Sequence, residues 1–210
     1  MSTFLENQNW RYATKQYDAT KKISDADLKT IKEGVRLSAS SYGLQPYKVV
    51  IVENPELREQ LKAAAYGQTQ ITDASHLFIF ANDLNVGTES VKSYINTISE
   101  TRGVPADALG GFSDMMNNVI SGLPTDAKNT WTAKQTYIAL GNLLSVTSEL
   151  KIDATPMEGF NAAAFNEILG FDKLGLNASV IAAVGYRHSE DDTQHYKKVR
   201  KSHEELFITL

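Results

Sequence analysis

The 210-residue chain has no cysteine, which removes disulfides, thiolate metal sites and cysteine nucleophiles from its chemistry. Charge of either sign is scarce in excess: 21 Lys and Arg against 25 Asp and Glu leave a net charge of −4. A binder of nucleic acid or anionic membrane would carry a basic surplus, so neither partner is expected. No apolar run approaches the ~20 residues that a membrane span requires. Met1–Trp10 has no basic stretch leading into an apolar one, so no secretory signal is expected and the expected location is cytoplasmic. Glycine-rich phosphate loops are missing as well. Neither Gly-x-Gly-x-x-Gly nor a Walker A pattern occurs, which removes support for Rossmann and P-loop readings. The four histidines, His76, His188, His195 and His203, match no zinc-ligand spacing. The hydroxyl-rich Ser38–Ser41 loop lacks a nucleophile elbow, so a hydrolase reading is weak.

What is present is ordinary for a soluble globular protein: 42% hydrophobic and 22% charged residues. The length suits a single domain over residues 1–210. Its organising stretch is Asp126–Phe160, a long apolar helix that ends in Thr155-Pro156-Met157-Glu158-Gly159-Phe160. Ala133, Tyr137, Leu140 and Leu144 form one helical stripe; Ala139, Leu143, Val146 and Leu150 form a second. Two adjacent stripes predict a helix covered on most of its circumference, in a core or a subunit interface. Gly141 costs roughly 1 kcal/mol against Ala mid-helix, so a close approach to the backbone is expected there. Pro156 ends the helix and Gly159 frees the backbone. A rigid helix delivering a short irregular loop can set backbone amides against a flat ligand.

Elsewhere, residues 3–9 read as a short helix, and Ser24 caps a helix over Asp25–Leu37 with an acidic first turn. Tyr47–Val52, Ser75–Ala81 and Ala178–Tyr186 read as buried apolar strands. Pro55 opens a helix over Glu56–Ala65, and Asn161–Leu169 is another. Asn85–Gly122 reads as two helical stretches split near Gly103-Val104-Pro105, an excursion from the core of the kind that forms lids. The tail Ser189–Leu210 is polar, yet ends on the apolar Leu206-Phe207-Ile208-Thr209-Leu210, which must be buried somewhere, a partner subunit being one answer. The fold class is helix-rich α+β, with helices on both faces of a modest sheet. Arg11 and Lys15 near the start and Lys198 and Arg200 near the end are either solvated surface charges or, if the two ends converge, a phosphate cradle.

Five segments together decide between these. Arg11-Tyr12-Ala13-Thr14-Lys15, Ser38 through Tyr47, Trp131 through Tyr137, Thr155–Phe160 and Lys198-Val199-Arg200 occur in the order and separations of the FMN-dependent nitroreductases. The chain resembles their oxygen-insensitive NAD(P)H nitroreductase and flavin reductase branch from Arg11 to Arg200. The resemblance implies an α+β fold with a mainly antiparallel central sheet flanked by helices, in an intertwined homodimer with FMN at the interface. It implies a helical excursion at about 85–122 and a C-terminal extension at about 189–210 that embraces the partner subunit. Carried over, Arg11, Lys198 and Arg200 hold the flavin phosphate, with Tyr12 and Ala13 also among the cofactor-binding residues. Lys15 faces the pyrimidine edge, Ala39, Ser40 and Ser41 contact the flavin from the partner chain, and Gly43 is a further cofactor-binding position. Pro156, Met157, Glu158 and Gly159 line the ring, the last two through their amides. Glu158 then needs no acid or base role; its bland alternative is a helix-capping surface carboxylate.

Departures from the family pattern are visible. Ala13 stands where Ser is common, losing a hydrogen bond of about 0.5–1.5 kcal/mol. Gly43 stands where Asn is common. Gln70, in Gly67-Gln68-Thr69-Gln70, is neutral and leaves Lys15 as the main stabiliser of reduced flavin. Tyr66 and Phe112 correspond to aromatics flanking the substrate cleft, or are ordinary packing. The implied activity passes a hydride from NADH or NADPH through flavin to a small-molecule electron acceptor such as a nitroaromatic or quinone, with no catalytic side chain and no metal. Alternatives are a dihydropteridine or flavin reductase, a flavin-binding protein with little turnover, and a structural dimer.

Overall fold

The computed structural model describes residues 3–210. Helix α1 spans Thr3–Trp10, α2 Asp25–Arg36, α3 Pro55–Ala64, α4 Gln70–Asp73 and α5 Thr88–Arg102. Then follow α6 Gly110–Gly122, α7 Thr125–Glu149, α8 Ala162–Leu169 and α9 His203–Leu206. The strands are β1 Tyr47–Val52, β2 His76–Asp83, β3 Asp153–Met157 and β4 Leu176–Gly185. They form one antiparallel sheet in the order β1-β2-β4-β3.

The central pair, β2 and β4, divides the core by its two-residue alternation. Leu77, Ile79, Ala81, Ile181 and Ala183 face Leu61 of α3, Phe165 of α8 and Phe171. Phe78, Phe80, Val180, Ala182 and Val184 face Ile31 and Val35 of α2 and Ala139, Leu140 and Leu143 of α7. The architecture is therefore helix, sheet, helix. Helix boundaries follow local chemistry: the Ser24 hydroxyl accepts from Asp27 N at 3.1 Å, and the Asn54 carboxamide accepts from Leu57 N at 2.8 Å ahead of Pro55. Gly103 ends α5 in the left-handed region, φ 65°.

Four expectations need correction. The segment through Pro156 is not an irregular loop, because Asp153–Met157 pairs with β4 as a fourth strand. It lies at the sheet edge, where a missing N–H removes no ladder bond. Strand β1 is the opposite edge and only half-buried, not a buried strand. Within one chain α7 buries Ala139, Leu140 and Leu143 and leaves Tyr137 and Ile138 exposed, so Tyr137 is not part of this chain's core. At Gly141 nothing in the chain comes within 4 Å of an added Cβ, so its small size is not required by packing inside this chain. The 85–122 excursion has a core of its own, Val91, Ile95 and Ile98 against Met116 and Ile120, with Trp131 packed on it. The terminal Leu206, Phe207, Ile208 and Leu210 are exposed, so nothing in this chain buries them.

Candidate functional site

The two ends of the chain do converge. Lys198 inserts its ammonium at the C-terminal end of α1 and donates to the Gln8 and Arg11 carbonyls, where helix carbonyls lack internal partners. Arg11 Nε donates to Gln8 Oε1 at 2.8 Å, and the exposed Arg200 bonds only the carbonyl of Val199. These cations line a hollow of about 500 Å³ with Trp10, Tyr12, Ala13, Tyr196 and Lys197. No carboxylate lines it, and none forms an ion pair with Arg11, Lys197, Lys198 or Arg200 among the described residues. Burial and the positive charge of Arg200 push the Arg11 pKa down. Burial, then Arg11 and Arg200, does the same to Lys198. A like-charged cluster with no counter-ion among the described residues favours an anion.

A buried carboxylate shapes this end. Asp191, 1% exposed, accepts from the Tyr12 hydroxyl at 2.9 Å and from Lys15 N and Gln16 N at 2.8 and 3.2 Å. It also accepts from the amide and hydroxyl of Thr193. Burial alone would push its pKa up; the hydrogen bonds from Thr193, Lys15, Gln16 and Tyr12 outweigh it and hold the group at about 2. Arg187 meets Asp153 with two nitrogens and stacks over Trp10 and Tyr12, its guanidinium carbon 4.4 and 4.5 Å from the ring centres.

The second hollow, about 480 Å³, is lined by Tyr137, Leu140, Gly141, Leu144, Pro156, Met157, Glu158 and Val180. Leu144 and Pro156 line both hollows. Together these make one furrow between α7 and the β3 edge, cationic at one end and apolar at the other. Beyond β3 the chain turns: Phe160 N reaches Glu158 O at 2.9 Å, Asn161 N reaches Ala64 O at 2.9 Å, and Gln68 Nε2 reaches Gly159 O at 2.7 Å. The amides of Glu158 and Gly159 meet no acceptor among the described residues. Both are available to a ligand.

Of the expected site residues, the furrow gathers Arg11, Tyr12, Ala13, Pro156, Met157, Glu158, Lys198 and Arg200, with Gly159 at its rim. Lys15 is exposed, and only its amide is fixed. Ala39, Ser40, Ser41 and Gly43 lie outside the furrow of their own chain. Their loop is tied to α7 by Ser41 N to Gln135 Oε1 at 2.8 Å and by Asn142 to Ser38 at 2.9 Å. Gly43 has φ 79°, and an added Cβ would sit 2.3 Å from the Tyr94 hydroxyl, which accounts for glycine there. Gln70 is buried on α4; Gln68 is the side chain that touches the turn. Tyr66 is 75% exposed, and Phe112 packs on the excursion core. Sequence reasoning missed Asp191, Arg187 and Gln68; only Asp191, two residues before Thr193, had a local signal, that of an Asx-turn. A larger hollow of about 690 Å³ beside α3 and α4 holds Arg58 and Lys62, but alongside Glu53, Glu59 and Asp73. Arg58 there donates to the carbonyls of Ile71, Ala74 and Ser75, and with three carboxylates in the lining the hollow is not of one sign.

The nitroreductase family model matches residues 9–186. A Staphylococcus saprophyticus protein, provisionally named NAD(P)H nitroreductase, is 37% identical over 213 residues, covering 97% of this chain and 95% of its own. The Bacillus subtilis protein YfkO, provisionally named likewise, is 36% identical over 197 residues, 87% of this chain and 88% of its own. This chain belongs to the nitroreductase family. Its fold matches that of a solved Staphylococcus epidermidis protein, provisionally described as an NAD(P)H:FMN oxidoreductase, with TM-score 0.89, 20% identity and coverage of 100% and 97%. A provisionally described nitroreductase from Exiguobacterium sibiricum, solved in complex with FMN, matches with TM-score 0.85, 18% identity and coverage of 100% and 98%.

Proposed function

We propose that the furrow holds FMN and that the chain is an NAD(P)H-dependent oxidoreductase of nitroreductase type. The observation that carries this reading is the meeting of the two hollows at Leu144 and Pro156. A phosphate fits the end where Arg11, Lys198 and Arg200 lack a counter-charge, and neutralising them relieves their repulsion. A flat ring fits the apolar wall of Leu140, Leu144, Pro156, Met157 and Val180. The open amides of Glu158 and Gly159 suit the polar edge of such a ring. The names of the full-length relatives and the FMN complex of a fold neighbour agree with this.

When bound, FMN supplies the redox chemistry, taking a hydride from NADH or NADPH and passing electrons to an electron-poor acceptor such as a nitroaromatic or quinone. The chain's own residues bind and orient it. Lys198 anchors the phosphate end through α1, and Asp191 keeps residues 12–16 in register with the tail. Lys15, exposed on that segment, offers a further cation. Ala39, Ser40, Ser41 and Gly43 reach the ring from a second copy, in a homodimer. The exposed Phe4, Leu5, Tyr137, Ile138 and Leu206–Leu210 supply apolar surface for that assembly. Tyr66 and Phe112 flank the acceptor cleft, and Gln70 stands behind it. Donor and acceptor share one cleft, so the kinetics are ping-pong.

Anaerobic titration of the purified protein with each nicotinamide, followed at the flavin band, tests the reading. Bleaching on addition of NADH or NADPH, and parallel double-reciprocal lines with an acceptor, are expected. A protein that takes up no added FMN overturns it.

A further inference from the structure

Within the apolar end of the furrow the only ionisable side chains among the described residues are Tyr137 and Glu158, and they are bonded to each other. The Tyr137 hydroxyl donates to Glu158 Oε1. The phenol is pushed up to about 12 by burial first, then by the bond to Glu158 and its charge, so it stays a donor throughout the neutral range. Tyr137 sits on α7, a helix of 25 residues; Glu158 sits on the turn after β3, which is not part of the sheet. The bond therefore ties the turn to the helix.

The rest of the turn is held from the other side. Gln68 grips the Gly159 carbonyl, and Phe160 and Asn161 have acceptors for their amides. Only the amides of Glu158 and Gly159 are open. A glutamate released from Tyr137 could fold back and accept from those amides, as carboxylates do at local turns. It would also carry its charge over the apolar wall.

We propose that Tyr137 is a positioning residue: its hydroxyl holds the Glu158 carboxylate against α7, so that the two open amides face the furrow and receive the bound ring. This deepens the FMN reading and rests on it. Tyr137 touches the cofactor site through Glu158, and its contribution vanishes when Glu158 has no carboxylate to hold.

The test is a double-mutant cycle on the full chain, reading FMN dissociation constants by flavin fluorescence and the visible band of the bound flavin. Tyr137→Phe is expected to weaken FMN about tenfold and shift the band, the loss of one hydrogen bond to a charged group. Glu158→Ala removes the carboxylate that Tyr137 holds, and its own FMN affinity is the reference for the second background. Tyr137→Phe in the Glu158→Ala background is expected to change nothing further. Equal Tyr137→Phe effects in both backgrounds, or no effect in either, overturn the proposal. Where Tyr137→Phe fails to fold, Tyr137→Leu takes its place in both backgrounds, and equal effects in the two again refute the holding role. If wild type itself binds no FMN, the FMN reading fails, an outcome distinct from failure of the cycle.

Discussion

Replacing Asp191 with Asn removes one charge and one acceptor oxygen while keeping the side chain's shape. Three of the bonds to this carboxylate, from Tyr12, Lys15 and Gln16, join segments more than 170 positions apart in the chain. The two from Thr193 are local and have water as a substitute. Each bond to a buried charge contributes about 1.5–3 kcal/mol, but bonds sharing one carboxylate do not add. Asn still satisfies one or two of the donors. The expected loss is therefore about 2–3 kcal/mol at pH 7. For a chain of this size that is roughly 4–12 °C in Tm. The sign of the pH dependence follows from a folded pKa of about 2, below the ordinary 3.8 of an aspartate. The native state holds the proton less readily than the unfolded chain. The contribution is thus complete above the unfolded value and is lost as pH falls from there through the folded value. Urea unfolding at pH 7, 5 and 3, at fixed protein and FMN concentrations, measures it. The gap between wild type and Asp191→Asn should be equal at pH 7 and 5 and smaller at pH 3. A gap below about 0.5 kcal/mol at pH 7, or one that does not narrow in acid, refutes the reasoning.

Other outcomes follow from the same geometry. Arg200→Ala should weaken FMN binding by about 1.5–3 kcal/mol, the worth of a charged hydrogen bond; calorimetric titration showing wild-type affinity would remove Arg200 from the phosphate end. Deleting Leu206–Leu210, all of them without cover in the chain, should shift the protein toward a smaller species on sizing columns and lower its flavin content. Unchanged elution and colour would show that the tail has no such role. Gly43→Ala meets both a left-handed φ and the Tyr94 hydroxyl. Because Tyr94 can swing aside, the cost should be about 1–2 kcal/mol in chemical denaturation, and a neutral effect would mean the loop adapts freely.

The elements most readable in advance were those with local causes. The Ser24 cap, Pro55 at the first turn of α3, the split at Gly103 and the apolar runs of β1, β2 and β4 each depend on residues within a few positions. The cationic end was legible as two pairs of charges, but their meeting depended on a fold that brings residue 198 onto α1. Strand β3 went unread because five residues containing proline, Asp153–Met157, resemble a turn until a neighbouring β4 supplies the ladder. Asp191 looked like any acid in a polar tail; only its burial shows five donors converging on it.

Amino-acid order alone settled where several helices start and stop, where three of the four strands run, and that no thiol chemistry is available, because these are matters of composition and of short-range sterics and capping. Chain packing alone settled the furrow. Its two halves come from α1, α7, β3 and the tail, and no short-range rule says that a cluster of cations will open onto Leu144 and Pro156 rather than onto solvent.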